Sequence, residues 1–363
     1  MSALYDALFV VSFGGPEGMD DVMPFLEKVV RGRPIPQDRL LEVARHYRQF
    51  DGVSPLNAQN RALIEALKAE FEAHRISLPI YWGNRNWHPL LPDALRQMAA
   101  DGVQRALAFF TSPYSSYSGC RQYRENIEEA RRQVGAGAPL VEKLRVFFNH
   151  PGFIGPNAER VQQALRQIPK QRRKAAMILF SAHSIPLAMA RKCRYKDQLQ
   201  EVGRLVALEL GHPHCRLVYQ SRSGPPQQLW LEPDICAALT EVRDEGRQDA
   251  VIAPIGFISD HMEVVFDLDT EASQHCREIG LNMVRAATAG THPEFVAMVR
   301  ELVQERISPA QPKPRALGPL GLSPGQCSKD CCLYGSEGFR LEAGGSEPGI
   351  RIPESASTLK PKA

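Results

Sequence analysis

Apolar runs rich in β-branched and aromatic residues alternate along the chain with amphipathic stretches of helical period. The runs that predict strands are residues 7–13, 78–81, 106–110, 144–148, 175–180, 216–220, 250–255 and 283–285. Helices are predicted between them, for example over residues 60–73 and 121–134. Strands that alternate with helices form parallel sheets covered by helices. The pattern therefore predicts an α/β protein.

Eight predicted strands divide into two sheets of four, and residues 151–171 predict the helix that joins them. We expect two Rossmann-like domains, at residues 1–160 and 161–307, that face each other over a cleft. A last helix is predicted over residues 293–306. Pro, Gly and Ser are frequent in residues 308–363, which predicts a C-terminal extension that is disordered after Tyr334.

Composition narrows the class of protein. Of 363 residues, 43% are hydrophobic and 23% are charged, as in a globular protein with a substantial core. A net charge of +3 is too small to indicate nucleic-acid binding, and no Gly-x-Gly-x-x-Gly motif indicates a nucleotide. No apolar run of membrane-spanning length and no signal peptide is recognisable, so we expect a cytoplasmic protein with reduced cysteines.

Three carboxylates recur at intervals of four residues after Asp260. In a helix, Glu263, Asp267 and Glu271 would lie along one face and repel each other. The only basic residue nearby is His261, so a cation is the natural missing partner. The alternative is a solvated acidic helix face.

One histidine follows a predicted buried strand. His183 comes directly after residues 175–180, and ligands of open α/β sheets bind at the carboxyl ends of strands. A neutral imidazole, with a pKa of about 6.5, can accept a proton at neutral pH. The alternative is a hydrogen-bonded histidine with a structural role.

The segments around these residues resemble the signature regions of a known family. Residues 181–186, Ser-Ala-His-Ser-Ile-Pro, and 259–269, Ser-Asp-His-Met-Glu-Val-Val-Phe-Asp-Leu-Asp, are similar to those of ferrochelatases, which insert ferrous iron into a porphyrin in haem synthesis. Further matches occur in the family's order, and the resemblance extends from about Leu8 to about Arg306. These further matches are residues 8–16, 31–34, 52–56, 219–225 and 230–233.

The resemblance implies roles for the acidic segment and the histidine. His183 would be the base that removes pyrrole protons, and Glu263 would face it across the porphyrin. Asp267 and Glu271 are hard oxygen ligands and would form a ladder that delivers Fe²⁺, the metal substrate, to Glu263. His183 and Glu263 would also contact the metal. Asp260 and His261 would organise the site by hydrogen bonds. Alternatively, this segment is a helix start capped by Ser259 or Asp260.

The resemblance also implies contacts with the porphyrin. Residues 112–123 look like the loop of ferrochelatases from Gram-positive actinobacteria in which a tyrosine approaches the product iron, and Tyr117 is preferred to Tyr114. Arginine suits propionates because its planar fork donates two parallel hydrogen bonds. The positions implied for the porphyrin are Phe13, Arg31, Arg33, Ser54, Tyr117, Trp230, Asp260 and His261.

Three cysteines cluster in the extension, at Cys327, Cys331 and Cys332. Certain ferrochelatases bind a [2Fe-2S] cluster through three such cysteines and one from the body of the protein. Cys120 would be the fourth ligand, with Cys215 or Cys193 as alternatives. Without a cluster, the segment would be a reactive tail.

Basic and polar residues at the mouth of the site, with the tyrosine-bearing loop, favour coproporphyrin III as substrate. Protoporphyrin IX is the alternative, although residues 50–56 show no hydrophobic lip of the membrane-docking kind. A porphyrin or metal carrier of the same fold is a further alternative, but a carrier needs no base opposite the acids. A cobalt chelatase would favour additional histidines at the metal. We expect a monomer or a weak homodimer, without a transmembrane segment.

Overall fold

Two four-stranded parallel sheets form the framework, which confirms the expected α/β class. The structure is a computed structural model that describes residues 5–32, 35–225, 227–308 and 313–334. The first sheet contains β1 (Ala7–Ser12), β2 (Ile80–Asn84), β3 (Arg105–Phe110) and β4 (Leu140–Lys143), in the order β2-β1-β3-β4. The second contains β5 (Met177–His183), β6 (Cys215–Gln220), β7 (Asp249–Ala253) and β8 (Asn282–Arg285), in the order β6-β5-β7-β8.

Helices connect the strands. Those that accompany the first sheet are α1 (Met19–Val29), α2 (Gln37–Arg48), α3 (Leu56–Ala73), α4 (Leu91–Ala100) and α5 (Gln122–Val134). The remainder are α6 (Pro151–Arg166), α7 (Leu187–Ala190), α8 (Tyr195–Leu210), α9 (Ile235–Asp244), α10 (Met262–Val264), α11 (Ser273–Ile279) and α12 (Pro293–Ile307). Two π-helices, Tyr117–Arg121 and Val265–Ala272, and a 3₁₀ turn, Arg173–Ala175, complete them.

The fourth strand was predicted wrongly, at residues 144–148 in place of Leu140–Lys143. The apolar residues at 144–148 are buried, but they fill the core after the strand has ended. The Phe147 ring stacks on Phe109 at 5.3 Å between centroids and meets Phe295 edge-on. An apolar run in the sequence predicts that its residues are buried more reliably than it predicts that they pair in a β-sheet.

Central strands are buried on both faces, as expected where helices cover a parallel sheet. All six residues of β1 and all five of β7 are buried. Helix α6 connects the two sheets at the predicted place. The domain boundary at residue 160 stays a prediction. No helix among the described residues is both long and apolar enough to cross a bilayer.

Loops at the carboxyl ends of the two sheets contact each other. The Tyr114 hydroxyl, after β3, donates to the Ile255 carbonyl, after β7, at 2.7 Å. The Asp260 backbone N–H donates to Gln59 Oε1 at 2.8 Å. These contacts bring the strand ends that carry the predicted chemistry towards one another.

A hydrophobic cluster joins the first two helices to the acidic segment. Phe25 of α1 and Tyr47 of α2 share it with Met262 and Phe266, which flank Glu263 in sequence. The His46 ring stacks on Phe266 at 3.8 Å between centroids. This packing fixes the orientation of the helix that carries the carboxylates.

The described part of the C-terminal extension, residues 313–334, packs on the body. Leu317 N–H donates to the Asn149 carbonyl at 2.8 Å, and Asn149 Nδ2 donates to the carbonyls of Leu317 and Gly321 at 2.9 and 2.8 Å. The predicted disorder after Tyr334 lies outside the described residues.

Candidate active site

The carboxyl end of β5 places His183 at the edge of the second sheet, as the sequence predicted. Its Nδ1–H donates to the Ser184 carbonyl, which leaves Nε2 turned towards Glu263. His183 Nε2 and Glu263 Oε2 are 3.6 Å apart. The histidine is part-buried and the Glu263 side chain is 53% exposed, so the pair borders open space. The two residues implied for the chemistry therefore lie together.

The pair shifts the pKa values of both partners. Burial lowers the pKa of His183, but the Glu263 carboxylate outweighs burial and raises it to about 9. Burial raises the pKa of Glu263, but the imidazolium lowers it to about 2. At neutral pH the resting site therefore holds a charged pair. The sequence does not show how close Glu263 lies, so it gave no sign of this charged pair, and the role of His183 as the base stays a prediction.

The acidic segment begins differently from either predicted cap. His261, and neither Ser259 nor Asp260, caps the short helix α10, because its Nδ1 accepts from the Glu263 N–H at 3.1 Å. The imidazole also packs edge-on against Phe257, with centroids 4.7 Å apart. Burial lowers the pKa of His261. A neutral His261 can act as the hydrogen-bond acceptor that fixes the Glu263 backbone.

Asp267 and Glu271 lie on a π-helix, where the sequence predicted an ordinary helical face, and Glu263 lies on α10 just before it. Residues Val265–Ala272 form this wider helix, a form that is frequent at functional sites. Burial, with the charges of Glu263 and Glu271 on either side, raises the pKa of Asp267 to about 7. Burial and Asp234 also raise the pKa of Glu271. Asp267 therefore lies close enough to Glu263 and Glu271 for both of their charges to raise its pKa.

Two residues at the end of β6, Gln220 and Ser221, hold Asp267 and were not recognised from the sequence. Gln220 is the strand partner of His183 and is 1% exposed. Its Nε2 donates to the Glu263 carbonyl at 3.0 Å and lies 3.5 Å from Asp267 Oδ2. The Ser221 hydroxyl donates to the same Asp267 oxygen. Ser221 has φ +62°, a left-handed conformation that is uncommon and strained for a residue with a side chain. This turn places its hydroxyl against Asp267.

Arg285 is a further residue that sequence reasoning missed. Its guanidinium meets both carboxylate oxygens of Asp260 at 3.2 Å and Asp269 Oδ1 at 2.5 Å. Asp260 thus organises the segment through an ion pair, in addition to its backbone bond to Gln59. A single arginine at the end of a predicted strand gave no sequence signal for this role.

The aromatic residues implied for the porphyrin lie at different depths. Phe13, at the end of β1, is 36% exposed and touches Phe25 edge-on, while the Arg85 guanidinium lies 5.7 Å from its ring centroid. Trp230 is half-buried beside Pro186, to which it is bridged. Its Nε1 has no hydrogen-bond partner among the described residues. Contact of these two rings with the porphyrin stays a prediction.

The residues implied for binding the propionates differ in how exposed they are. Arg31 is exposed, whereas Ser54 is 4% exposed and its hydroxyl accepts from the Leu56 N–H at 3.5 Å. Ser54 also packs directly against Gly15, where an added Cβ would lie 2.7 Å from the serine Cβ. A small residue is required at that turn. Arg33 lies outside the described residues.

The two tyrosines of the loop after β3 have different surroundings. Tyr114 is 1% exposed and is fixed by its bond to Ile255, so it is part of the core. Tyr117 begins the first π-helix, is part-exposed, and donates to Glu125 Oε2 at 3.1 Å. The surroundings agree with the choice of Tyr117 as the ligand-facing residue.

The structure brings together the cysteines that the sequence grouped. Cys120 hydrogen-bonds to Cys327, which contacts Cys331, and the Cys331 and Cys332 sulfurs are 3.6 Å apart. The bond from Cys120 lowers the pKa of Cys327 to about 5. Cys193 is close enough to raise the pKa of Cys332 electrostatically. In the described part of the chain, no three His, Cys, Asp or Glu side chains are arranged around one metal-ion position.

A cavity of about 540 Å³ lies elsewhere, between α8 and β6. Cys215 lines it, together with Phe180 and Leu208, and the proposed catalytic residues do not. The alternative assignment of Cys215 to the cysteine group therefore gains no support from its position.

Comparisons with known proteins agree with this arrangement. Residues 5–307 match the family model described as "Ferrochelatase". A "Ferrochelatase" of Rhodopirellula baltica is 59% identical, over 91% of this chain and 94% of that protein. Two proteins named "Coproporphyrin III ferrochelatase" are each 50% identical to this chain. The protein of Streptomyces coelicolor matches over 90% of this chain and 93% of its own length. The protein of Frankia alni matches over 90% of this chain and 86% of its own length. Among solved structures, "SirB from Bacillus subtilis with Fe3+" is 12% identical over 86% of this chain and 100% of that chain, with a TM-score of 0.51, a likeness of fold.

Proposed function

The chain belongs to the ferrochelatase family, enzymes that insert ferrous iron into a porphyrin in haem synthesis, and we propose that its porphyrin is coproporphyrin III. The observation that supports porphyrin metallation is the His183–Glu263 pair, which lies at the head of the Asp267–Glu271 ladder. A base beside a metal route is what porphyrin metallation requires. Relatives named for coproporphyrin III, at about half identity over most of their length, support the choice of substrate.

The charge at the mouth of the site supports a substrate rich in carboxylates. Arg31 is exposed, and helix α2 presents the exposed arginines Arg39, Arg45 and Arg48. Coproporphyrin III has four propionates, so such a mouth would hold it by charge-assisted hydrogen bonds. Asp260, His261, Trp230 and Phe13 would complete the pocket around the macrocycle.

In the proposed mechanism, iron arrival switches His183 from acid to base. The Glu263 carboxylate keeps His183 protonated at rest. Fe²⁺ that reaches Glu263 would neutralise this carboxylate and lower the pKa of the imidazole, which then releases its proton to solvent, because the pair borders open space. Neutral His183 could accept one pyrrole proton as the metal enters the ring, pass it to solvent, and then accept the second pyrrole proton. The base role is thereby coupled to the presence of the second substrate.

The outer ladder would deliver the ion. Glu271 and Asp267 are hard oxygen ligands that suit hydrated Fe²⁺. Because the pKa of Asp267 is about 7, its affinity for a cation competes with protonation near neutral pH. Ligands of this kind can hand an ion on to Glu263 without trapping it.

We further propose that Cys120, Cys327, Cys331 and Cys332 hold a [2Fe-2S] cluster. The chain of sulfur contacts supports this, and the lowered pKa of Cys327 supplies one thiolate at neutral pH. Bound there, a cluster would add electron-transfer capacity and would link three cysteines of the extension to Cys120 of the body. Anaerobically purified protein should show visible Fe–S absorption that the combined changes Cys331→Ser and Cys332→Ser abolish. Colourless protein would contradict the proposal.

A cytoplasmic location and a monomeric or weakly dimeric state complete the proposal. Gel filtration across a range of protein concentrations tests the oligomeric state. A dimer that persists at nanomolar concentration would contradict it.

Anaerobic incubation with Fe²⁺ and either porphyrin, followed by the loss of free-porphyrin fluorescence, tests the substrate assignment. Faster metallation of coproporphyrin III is expected. Faster metallation of protoporphyrin IX would make that the substrate, and tight binding of both without metallation would indicate a carrier.

A further inference from the structure

The first π-helix, Tyr117–Arg121, carries three side chains that contact residues outside it. Tyr117 lies at its start, Cys120 contacts the cysteines of the extension, and Arg121 ends it. One short element therefore connects the loop implied for the product iron with the C-terminal cysteine segment, here defined as residues 327–332.

A carboxylate on the next helix bridges two of these side chains. Glu125 Oε2 accepts from the Tyr117 hydroxyl at 3.1 Å, and Glu125 Oε1 accepts from Arg121 Nε at 2.7 Å. The arginine is 18% exposed and the glutamate 44% exposed. Arg121 thus fixes the orientation of the carboxylate that holds the tyrosine.

The other end of Arg121 is fastened to the cysteine segment. Its Nη1 donates to the carbonyls of Lys329 and Cys331, the latter at 3.1 Å. These contacts join residues more than 200 positions apart. Any change in the cysteine segment that shifts these carbonyls will reach Glu125 through one guanidinium.

Tyr117 also has a connection to the face of the proposed porphyrin site. Arg85 lies over the Phe13 ring at 5.7 Å, and its Nη1 donates to the Ser118 carbonyl at 3.4 Å. The residue after Tyr117 and the aromatic residue implied for the macrocycle face therefore share one arginine.

We infer that the hydrogen bond to Glu125 holds Tyr117 in a position away from the product iron, here called the parked position. The C-terminal cysteine segment, through Arg121, sets how strongly the tyrosine is held there. This inference rests on the proposed function, because it makes the cysteine segment a regulator of product coordination. To reach the iron of the haem product, the Tyr117 hydroxyl must leave Glu125. Parking therefore competes with product binding.

The size of the effect follows from the bond that must break. A part-exposed hydrogen bond to a carboxylate favours the parked state by about fivefold. Glu125→Ala should accordingly tighten the binding of the product by about fivefold. Tyr117→Phe should weaken binding and abolish the effect of Glu125→Ala.

The test is a titration of full-length protein, as purified anaerobically and free of porphyrin, with ferric coproporphyrin III, followed by absorbance. Glu128→Ala is the matched control, because Glu128 lies on the same helix and pairs with Arg131. The control should bind like the wild type. An equal shift in the control, or a Glu125→Ala effect that persists with Tyr117→Phe, would overturn the parked position.

Two variants test the connection to the cysteine segment. The pair Cys331→Ser with Cys332→Ser, and separately Arg121→Gln, should tighten binding towards the Glu125→Ala value and should add nothing when combined with Glu125→Ala. The arginine variant leaves every cysteine intact, so it tests the connection even if the cysteine variant fails to fold. Unchanged affinity in Arg121→Gln would overturn the connection.

Failure of the proposed function gives a different result. Wild-type protein that neither metallates coproporphyrin III nor binds its ferric complex would remove the function and the inference together. Wild-type protein that does both, with an affinity unaffected by Glu125→Ala, would overturn the inference alone.

Discussion

Replacing Glu263 with Gln should return His183 to a neutral imidazole at pH 7. Glutamine keeps the shape of the side chain and removes its charge. The carboxylate, 3.6 Å from His183 Nε2, is what raises the pKa of the histidine to about 9 against the effect of burial. Without it, burial is opposed only by the Ser184 carbonyl and Asp267, and the pKa should fall well below 9.

The magnitude follows from the two pKa values. A rise from 6.5 to about 9 corresponds to about 3 kcal/mol of differential interaction. Because the Glu263 side chain is 53% exposed, solvent screens the pair and a contribution of about 2 kcal/mol is expected. Glu263→Gln should therefore destabilise the fold by about 2 kcal/mol near pH 6.

The pH dependence has a definite sign. The raised pKa of His183 gives a contribution that is complete below pH 6.5 and is lost as the pH rises through about 9. The lowered pKa of Glu263 gives one that is complete above pH 4.5 and is lost as the pH falls through about 2. The difference in unfolding free energy between wild type and variant should be largest between pH 4.5 and 6.5.

NMR titration of the His183 ring nitrogens in both proteins, without iron or porphyrin, is the assay. Denaturant unfolding at pH 6 and pH 9 measures the stability difference. A wild-type His183 that titrates at or below 6.5, or a pKa unchanged by Glu263→Gln, would refute the charged resting pair.

Three further outcomes are expected. The KM for Fe²⁺ should fall as the pH rises from 6 to 8, because Asp267, with a pKa of about 7, then becomes ionised, and Asp267→Asn should flatten this dependence; a steep dependence in the variant would assign it to another group. Gln220→Met removes the bonds to Asp267 and the Glu263 carbonyl at similar volume and should raise the KM for Fe²⁺ about fivefold while leaving that for porphyrin unchanged; equal rises in both would indicate general disruption. Arg285→Ala leaves two part-buried carboxylates without their cation and should lower stability by about 2 kcal/mol in denaturant unfolding, against little change for the exposed Arg277→Ala; equal losses would contradict the ion-pair account.

The order of elements could be predicted because each strand is a short apolar run and each helix has an amphipathic period. The error at residues 144–148 has a physical cause, since Phe147 and Phe148 are as buried as a central strand, and Phe147 fills space between Phe295 of α12 and Phe109 of the sheet. Periodicity reports burial, whereas strand pairing depends on neighbours distant in sequence.

The sequence singled out His183 and the ladder carboxylates by a position after a strand, a spacing of four residues and the resemblance to ferrochelatases, and their roles stay predictions. Gln220, Ser221 and Arg285 were missed, since they act through contacts with residues 16 to 47 positions away in the sequence. The charged state of His183 was missed for the same reason. Long-range proximity sets a pKa, and a single sequence does not contain it.

The most direct test of the central claim is metallation by His183→Ala. The variant should bind coproporphyrin III with near wild-type affinity, measured by fluorescence anisotropy, because the propionates and the aromatic faces of the site are unchanged. With Fe²⁺ added anaerobically, the free-porphyrin fluorescence of the bound ligand should persist, whereas in the wild type it should disappear. Turnover at the wild-type rate by a folded His183→Ala protein would contradict the assignment of His183 as the base.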